Sequence, residues 1–233
     1  MDIVLEYKGV NKNFGDKQVL KDINLKIGSN RVVGMLGKNG SGKSTLFKLA
    51  NDLLTPTSGE ILIDGHPVSV ESKKVVSYLP ERTYFDPSMR VVDTLKLFET
   101  FYADFDREKA EKLLVELKLD KDMRLSKMSK GMKEKVQLVL VMSRHAKIYI
   151  LDEPLGGVDP ASRDYILQTI LKNFDKGATL FISTHMIADI EKILDEVVFI
   201  DDGQIVLHDK VETLRKQENA TIDEIFRRKF YVF

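Results

Sequence analysis

Residues 31–50 read RVVGMLGKNGSGKSTLFKLA: an apolar run, a loop holding three glycines, and the start of an amphipathic segment. The run at 32–36 predicts a buried strand, and 46–50 predicts the first turns of a helix. Between them, Gly37, Gly40 and Gly42 have no Cβ, so the backbone can curl until successive amide N–H groups face one anion, and the following helix adds its positive end. The spacing Gly-x4-Gly-Lys-Ser, from Gly37 to Ser44, is that of a phosphate-holding loop in its required strand, loop, helix context. Lys43 reaches the β and γ phosphates of a nucleotide, and the Ser44 hydroxyl can meet Mg²⁺. Asn39, Ser41 and Thr45 complete the stretch expected to surround the phosphates.

Composition bounds the rest. The 233 residues suffice for one large domain, or for one domain carrying an insertion, and 43% hydrophobic content supports a sizeable core. Lysine plus arginine and aspartate plus glutamate each number 36, so no strongly basic nucleic-acid face is expected. Without cysteine there are no disulfides and no iron–sulfur ligation. The start, MDIVLEYKG, has no basic leader followed by an apolar run, and the most apolar interior segment, 136–142, is too short to cross a bilayer at about 20 residues per helix. A cytoplasmic chain is the expectation.

Strands are predicted at 3–7, 32–36, 60–63, 75–79, 148–151, 179–183, 197–200 and 204–208. The early ones alternate or adjoin turn signals such as Asp64-Gly65, which suits antiparallel edge strands, whereas 32–36, 148–151 and 179–183 are almost continuously apolar and suit central parallel strands. From 87 to 126 the pattern turns helical, with Ala110, Leu113, Leu114 and Leu117 on one face. A further helix is expected over 130–145. The fold class is therefore α/β with a helical subdomain inserted at about 86–146, and a terminal amphipathic helix lies within 209–233. Asp152 and Glu153 follow the apolar run 148–151, at the strand end where ligands bind in open α/β sheets. Asp152 is assigned to the metal and Glu153 to the attacking water. His185 ends the run from 179 and is placed to contact a γ-phosphate, while His66, His145 and His208 have no spacing suited to a zinc site.

These segments, with residues 125–132, LSKMSKGM, between them, resemble the nucleotide-binding subunit of ABC transporters over essentially the whole chain. The resemblance implies a single domain over 1–233, a P-loop NTPase core with an antiparallel β subdomain, and ATP with Mg²⁺ as ligands. MSKGM, at 128–132, looks like the family signature LSGGQ, which closes over ATP held by a second subunit. Ser129 and Gly131 would then complete the partner's site in a head-to-tail dimer. Phe14 matches the aromatic residue that stacks on adenine, Asp159 in GGVDP matches the loop between opposing sites, and His185 matches the switch histidine. Glu81, after Tyr78-Leu79-Pro80, stands where the family has glutamine. It retains an acceptor for Mg²⁺ or water but no amide donor. Lys130 and Met132 also depart from the usual glycine and glutamine. The SKGM and YLPE forms look like bacterial exporter subunits whose membrane parts are separate chains, which implies an integral membrane permease as partner, a place on the cytoplasmic face of the membrane, and no nucleic acid. The alternative is a soluble ABC-type ATPase acting on ribosomes or nucleic acid. One phosphate loop and no sustained heptads weigh against it, and the lack of an Asn-Lys-x-Asp segment weighs against a GTPase.

Overall fold

The computed structural model describes residues 2–231. Two sheets sandwich one helix. The first sheet is antiparallel, in the order β2-β1-β4-β5, built from β1 (Ile3–Phe14), β2 (Lys17–Gly28), β4 (Ser58–Ile63) and β5 (His66–Pro67). The sequence pattern does not announce β2 as a strand. Its buried positions run Leu20, then Ile23, Leu25 and Ile27, and the skipped beat falls at Asp22, a left-handed residue with φ of 47°. Opposite it the register with β1 shifts, from Val10↔Ile23 to Lys12↔Leu20. A bulge of this kind conceals a period-2 signal.

The second sheet has the order β10-β9-β3-β8-β7-β6, formed by β3 (Val32–Leu36), β6 (Val76–Leu79), β7 (Ile148–Asp152), β8 (Thr179–Thr184), β9 (Glu196–Asp201) and β10 (Gln204–Lys210). Strands β9, β3, β8, β7 and β6 are parallel, and β10 returns antiparallel on β9. The three continuously apolar runs thus sit side by side, as β3-β8-β7. Their side chains divide between two cores. Val33, Met35, Ile148, Ile150 and Phe181 pack towards the first sheet, with α1 (Lys43–Ala50) between the layers, while Leu36, Tyr149, Leu151, Leu180 and Ile182 face the remaining helices. Burial on both faces is why no alternation marks them.

Three helices lie between β6 and β7: α2 (Val91–Phe101), α3 (Arg107–Glu116) and α4 (Lys130–Met142). The stripe Ala110, Leu113, Leu114 and Leu117 is buried and joins the same core as the sheet face. Helix α4 stops three residues short of the expected end, because Arg144 leaves the helix to serve as a bolt. Its guanidinium donates to the Val76 carbonyl at 2.6 Å, the Lys73 carbonyl at 3.0 Å and Asp104 Oδ2 at 2.9 Å, and lies 3.8 Å from the Tyr102 ring centroid. Four more helices follow: α5 (Pro160–Asn173), α6 (Ile187–Ile190), α7 (Val211–Glu218) and α8 (Ile222–Phe230). The terminal amphipathic segment is therefore two helices. In α8, Ile222, Ile225, Phe226 and Phe230 are buried, whereas Phe233 lies outside the described residues. Among the described residues no helix is long and apolar enough to cross a membrane.

Candidate active site

Strand β3 delivers the chain to Gly37 in a space where a Cβ would sit 2.6 Å from the Ile200 carbonyl oxygen. The loop then turns through Gly40 at φ +82° and Gly42 at φ +111°, both in the left-handed region that glycine enters without strain. Helix α1 begins at once and no side chain caps it, so its free N–H groups and positive end face the loop. The Lys43 ammonium is buried there. It donates to the Gly37 carbonyl at 2.8 Å and the Lys38 carbonyl at 3.3 Å, and lies 3.4 Å from Glu153 Oε1.

Strand β7 supplies the acids. Asp152 and Ser183 are register partners on β7 and β8, and Ser183 Oγ donates to Asp152 Oδ1 at 2.6 Å. Asp152 Oδ2 is buried without a partner. Burial pushes the Asp152 carboxyl above the usual range, against the opposing pull of the Ser183 and Ser44 hydroxyls. An orphaned carboxylate oxygen beside a serine hydroxyl is an all-oxygen donor set, the chemistry that Mg²⁺ selects, so the residues present fit that ion.

Glu153 follows with φ +51°, a conformation that is unusual for a residue with a Cβ. Its N–H donates to Ser183 Oγ at 2.9 Å, which holds the turn. The carboxylate then lies between two side chains, with Oε1 towards Lys43 and Oε2 2.9 Å from His185 Nδ1. Lys43, Glu153 and His185 thus form one connected line from three strand ends.

A cavity of about 1120 Å³ runs along this line and is walled by Asn39, Gly40, Gly42, Lys43, Ser44, Thr45, Glu81, Glu153 and His185. Gly37 and Ser41 lie behind the loop, the Ser41 hydroxyl buried without a partner. Ser129, Gly131 and Asp159 line an adjoining cleft of about 250 Å³ that also includes Asp152 and shares Glu81, Glu134 and Glu153 with the first cavity. There Ser129 caps α4, accepting from Met132 N at 3.2 Å, and Asp159 caps α5, accepting from Ser162 N at 3.1 Å. Phe14 stands apart from the cavity wall, 47% exposed, with the Lys12 ammonium 4.9 Å from its ring centroid.

Several wall residues carry no motif. Lys17, Gln18 and Val19 come from the start of β2, Asp202 and Gly203 from the β9–β10 turn, and Glu134 from α4. The Asp202-Gly203 pair is a turn signal between two strands, but no local pattern says that this turn meets the phosphate loop. It does so through a hydrogen bond from Gly203 N to the Ser41 carbonyl at 3.1 Å.

Comparison with known proteins agrees with this geometry. Residues 20–156, more than half of the chain, match the family model described as ABC transporter. The glutamine transport ATP-binding protein GlnQ of Escherichia coli (strain K12) is 31% identical, over 87% of this chain and 89% of its own length. Nod factor export ATP-binding protein I of Cupriavidus metallidurans is 26% identical, over 94% and 75%. Among solved structures, an ATP-binding subunit of an ABC transporter superposes with a TM-score of 0.87 at 27% identity, covering 97% of this chain and 98% of that one. On these matches this chain belongs to the ATP-binding subunits of ABC transporters, ATPases coupled to transport.

Proposed function

We propose that two copies of this chain close head to tail over two ATP molecules, hydrolyse them, and drive export through a separate membrane permease. The observation that carries this reading is the division of the site residues. Lys43, Ser44 and His185 line the phosphate-loop cavity and Ser129, Gly131 and Asp159 do not; these three line an adjoining cleft, and Glu81 and Glu153 stand in both. Their position outside the phosphate-loop cavity supports the reading that Ser129 and Gly131 serve the site of a second copy. Lys43 and the loop amides neutralise the β and γ phosphates, and Ser129 and Gly131 of the second copy close over the γ-phosphate. Glu153 orients water and accepts its proton, with His185 fixing the carboxylate and contacting the γ-phosphate. Ser44, Asp152 and Glu81 are the residues that would hold Mg²⁺. That ion, when bound, supplies charge neutralisation between the phosphates.

Phe14 provides the ring for adenine and Asp159 carries signals between the two sites. Residues 86–146 act as one helical subdomain, with Glu81 at its hinge. Beside Glu81 lies a groove of about 720 Å³ between that subdomain and the core, lined by Leu53, Tyr84, Phe98 and Tyr102. Leu53 and Tyr84 are 56% and 59% exposed, which suits docking of permease helices at the cytoplasmic face. Export is favoured by the MSKGM and YLPE segments, and the relatives include one named for Nod factor export.

Phosphate release from ATP tests the site. Glu153→Gln is expected to lower turnover by about 10²-fold or more while ATP binding persists. Turnover equal to that of the parent chain removes Glu153 from its role.

A further inference from the structure

Lys38 sits inside the phosphate loop, yet its side chain points away from the line of Lys43, Glu153 and His185. Its ammonium lies 5.0 Å from the ring centroid of Tyr231 and 5.9 Å from that of Phe230, at the carboxyl end of α8. The backbone of the same residue faces the chemistry. Its carbonyl accepts from Lys43 Nζ at 3.3 Å and from Ser41 N at 3.2 Å. One residue therefore links the last helix to the ammonium that meets the phosphates.

The helix carrying this contact is packed and capped at both ends. Phe230 stacks on Phe226 at 4.3 Å, and both rings meet Phe199, at 5.8 Å and 5.4 Å. Phe199 is the register partner of Leu36, the last residue of β3 before the loop. The far end of α8 is fixed by a reciprocal cap between Thr221 and Glu224 and by the Asp223 amide on Glu191 at 3.2 Å. An aromatic ladder thus runs from the strand beside the loop, through α8, and back to the loop at Lys38.

We propose that Phe230 and Tyr231 are positioning residues that clamp Lys38 and hold the phosphate loop in its nucleotide-receiving curl. The inference rests on the phosphate loop being the ATP site. A loop already ordered loses less freedom when phosphate arrives, so the clamp strengthens ATP binding. At saturating ATP the phosphates order the loop themselves, and the rate of the chemical step does not depend on the clamp. By linkage, bound nucleotide must in turn steady α8.

The test compares Tyr231→Ala, Tyr231→Phe, Lys38→Met and their double variant with the parent chain, reading the ATP dissociation constant and kcat. Tyr231 is 51% exposed, so its loss leaves the core intact. Tyr231→Ala and Lys38→Met are each expected to weaken ATP binding about two- to fivefold, the size of one exposed cation–π contact. The double variant is no weaker than the single ones, Tyr231→Phe binds like the parent, and kcat of Tyr231→Ala is unchanged. Amide exchange over 222–230 is expected to slow with ADP in the parent chain and not in Lys38→Met. Unchanged ATP affinity in Tyr231→Ala, or strictly additive losses in the double variant, overturns the clamp. Lys43→Ala separates the two readings: if it binds ATP like the parent, the phosphate-loop assignment itself fails, and if it alone loses binding, only the clamp fails.

Discussion

Glu153 stands at φ +51°, where a side chain is normally penalised, and Ser183 pins it there through both its hydroxyl and its carbonyl. The strain has a purpose, since the turn swings the carboxylate back between Lys43 and His185. Glu134 presents a different conflict. Its Oε2 is buried without a partner beside the nucleotide cavity, and burial raises its carboxyl above the usual range despite Lys130 at 3.7 Å. The folded state then holds its proton to higher pH than the unfolded chain does, so stability falls as pH rises through this window. Glu134→Gln should raise Tm at pH 7 by about 1–2 °C, and the gain should vanish on acidification; a gain that persists at acidic pH rejects this assignment. Of these features the sequence makes the phosphate loop and the acid pair readable, because each motif is contiguous. The unpaired oxygens of Asp152 and Glu134 are not readable, because they arise where distant segments meet. Nor is the exposed position of Phe14, since an aromatic residue at a strand end reads the same whether it is covered or bare.

At the scale of elements, one buried side chain ties the helices to the sheet. Arg144 lies just past α4, 3% exposed, and its guanidinium joins the backbone of 73–76 to Asp104. Arg144→Met keeps the apolar stem but leaves Asp104 and the carbonyls of Lys73, Lys74 and Val76 without their donor, a loss of about 3 kcal/mol. Denaturant unfolding is expected to report that loss, and an unchanged midpoint contradicts the bolt. The sequence places α4 from its apolar run but overshoots its end by three residues, since Arg144 has good helix propensity and only tertiary acceptors draw it out. The stripe from Ala110 to Leu117 is legible for the opposite reason, as its 3.6-residue period survives intact. Strand β2 is lost from view at its bulge, where Asp22 breaks the alternation.

Across the whole molecule, the parallel sheet gathers Lys43, Asp152, Glu153 and His185 at one end because every contributing strand points the same way. Helix α1 is held between two sheets, so the phosphate loop is anchored from both sides. In the proposed function, Ser129, Gly131 and Asp159, which stand outside the phosphate-loop cavity, are the residues that another copy would use. That division is the central claim, and the mass of Glu153→Gln in solution tests it most directly. Measured by light scattering during gel filtration with ATP and Mg²⁺, the variant is expected at twice the mass of one chain. It should return to the single-chain mass without ATP, and also when Ser129→Arg is added. A single-chain mass with ATP bound, or a doubled mass indifferent to ATP and to Ser129→Arg, contradicts the shared site.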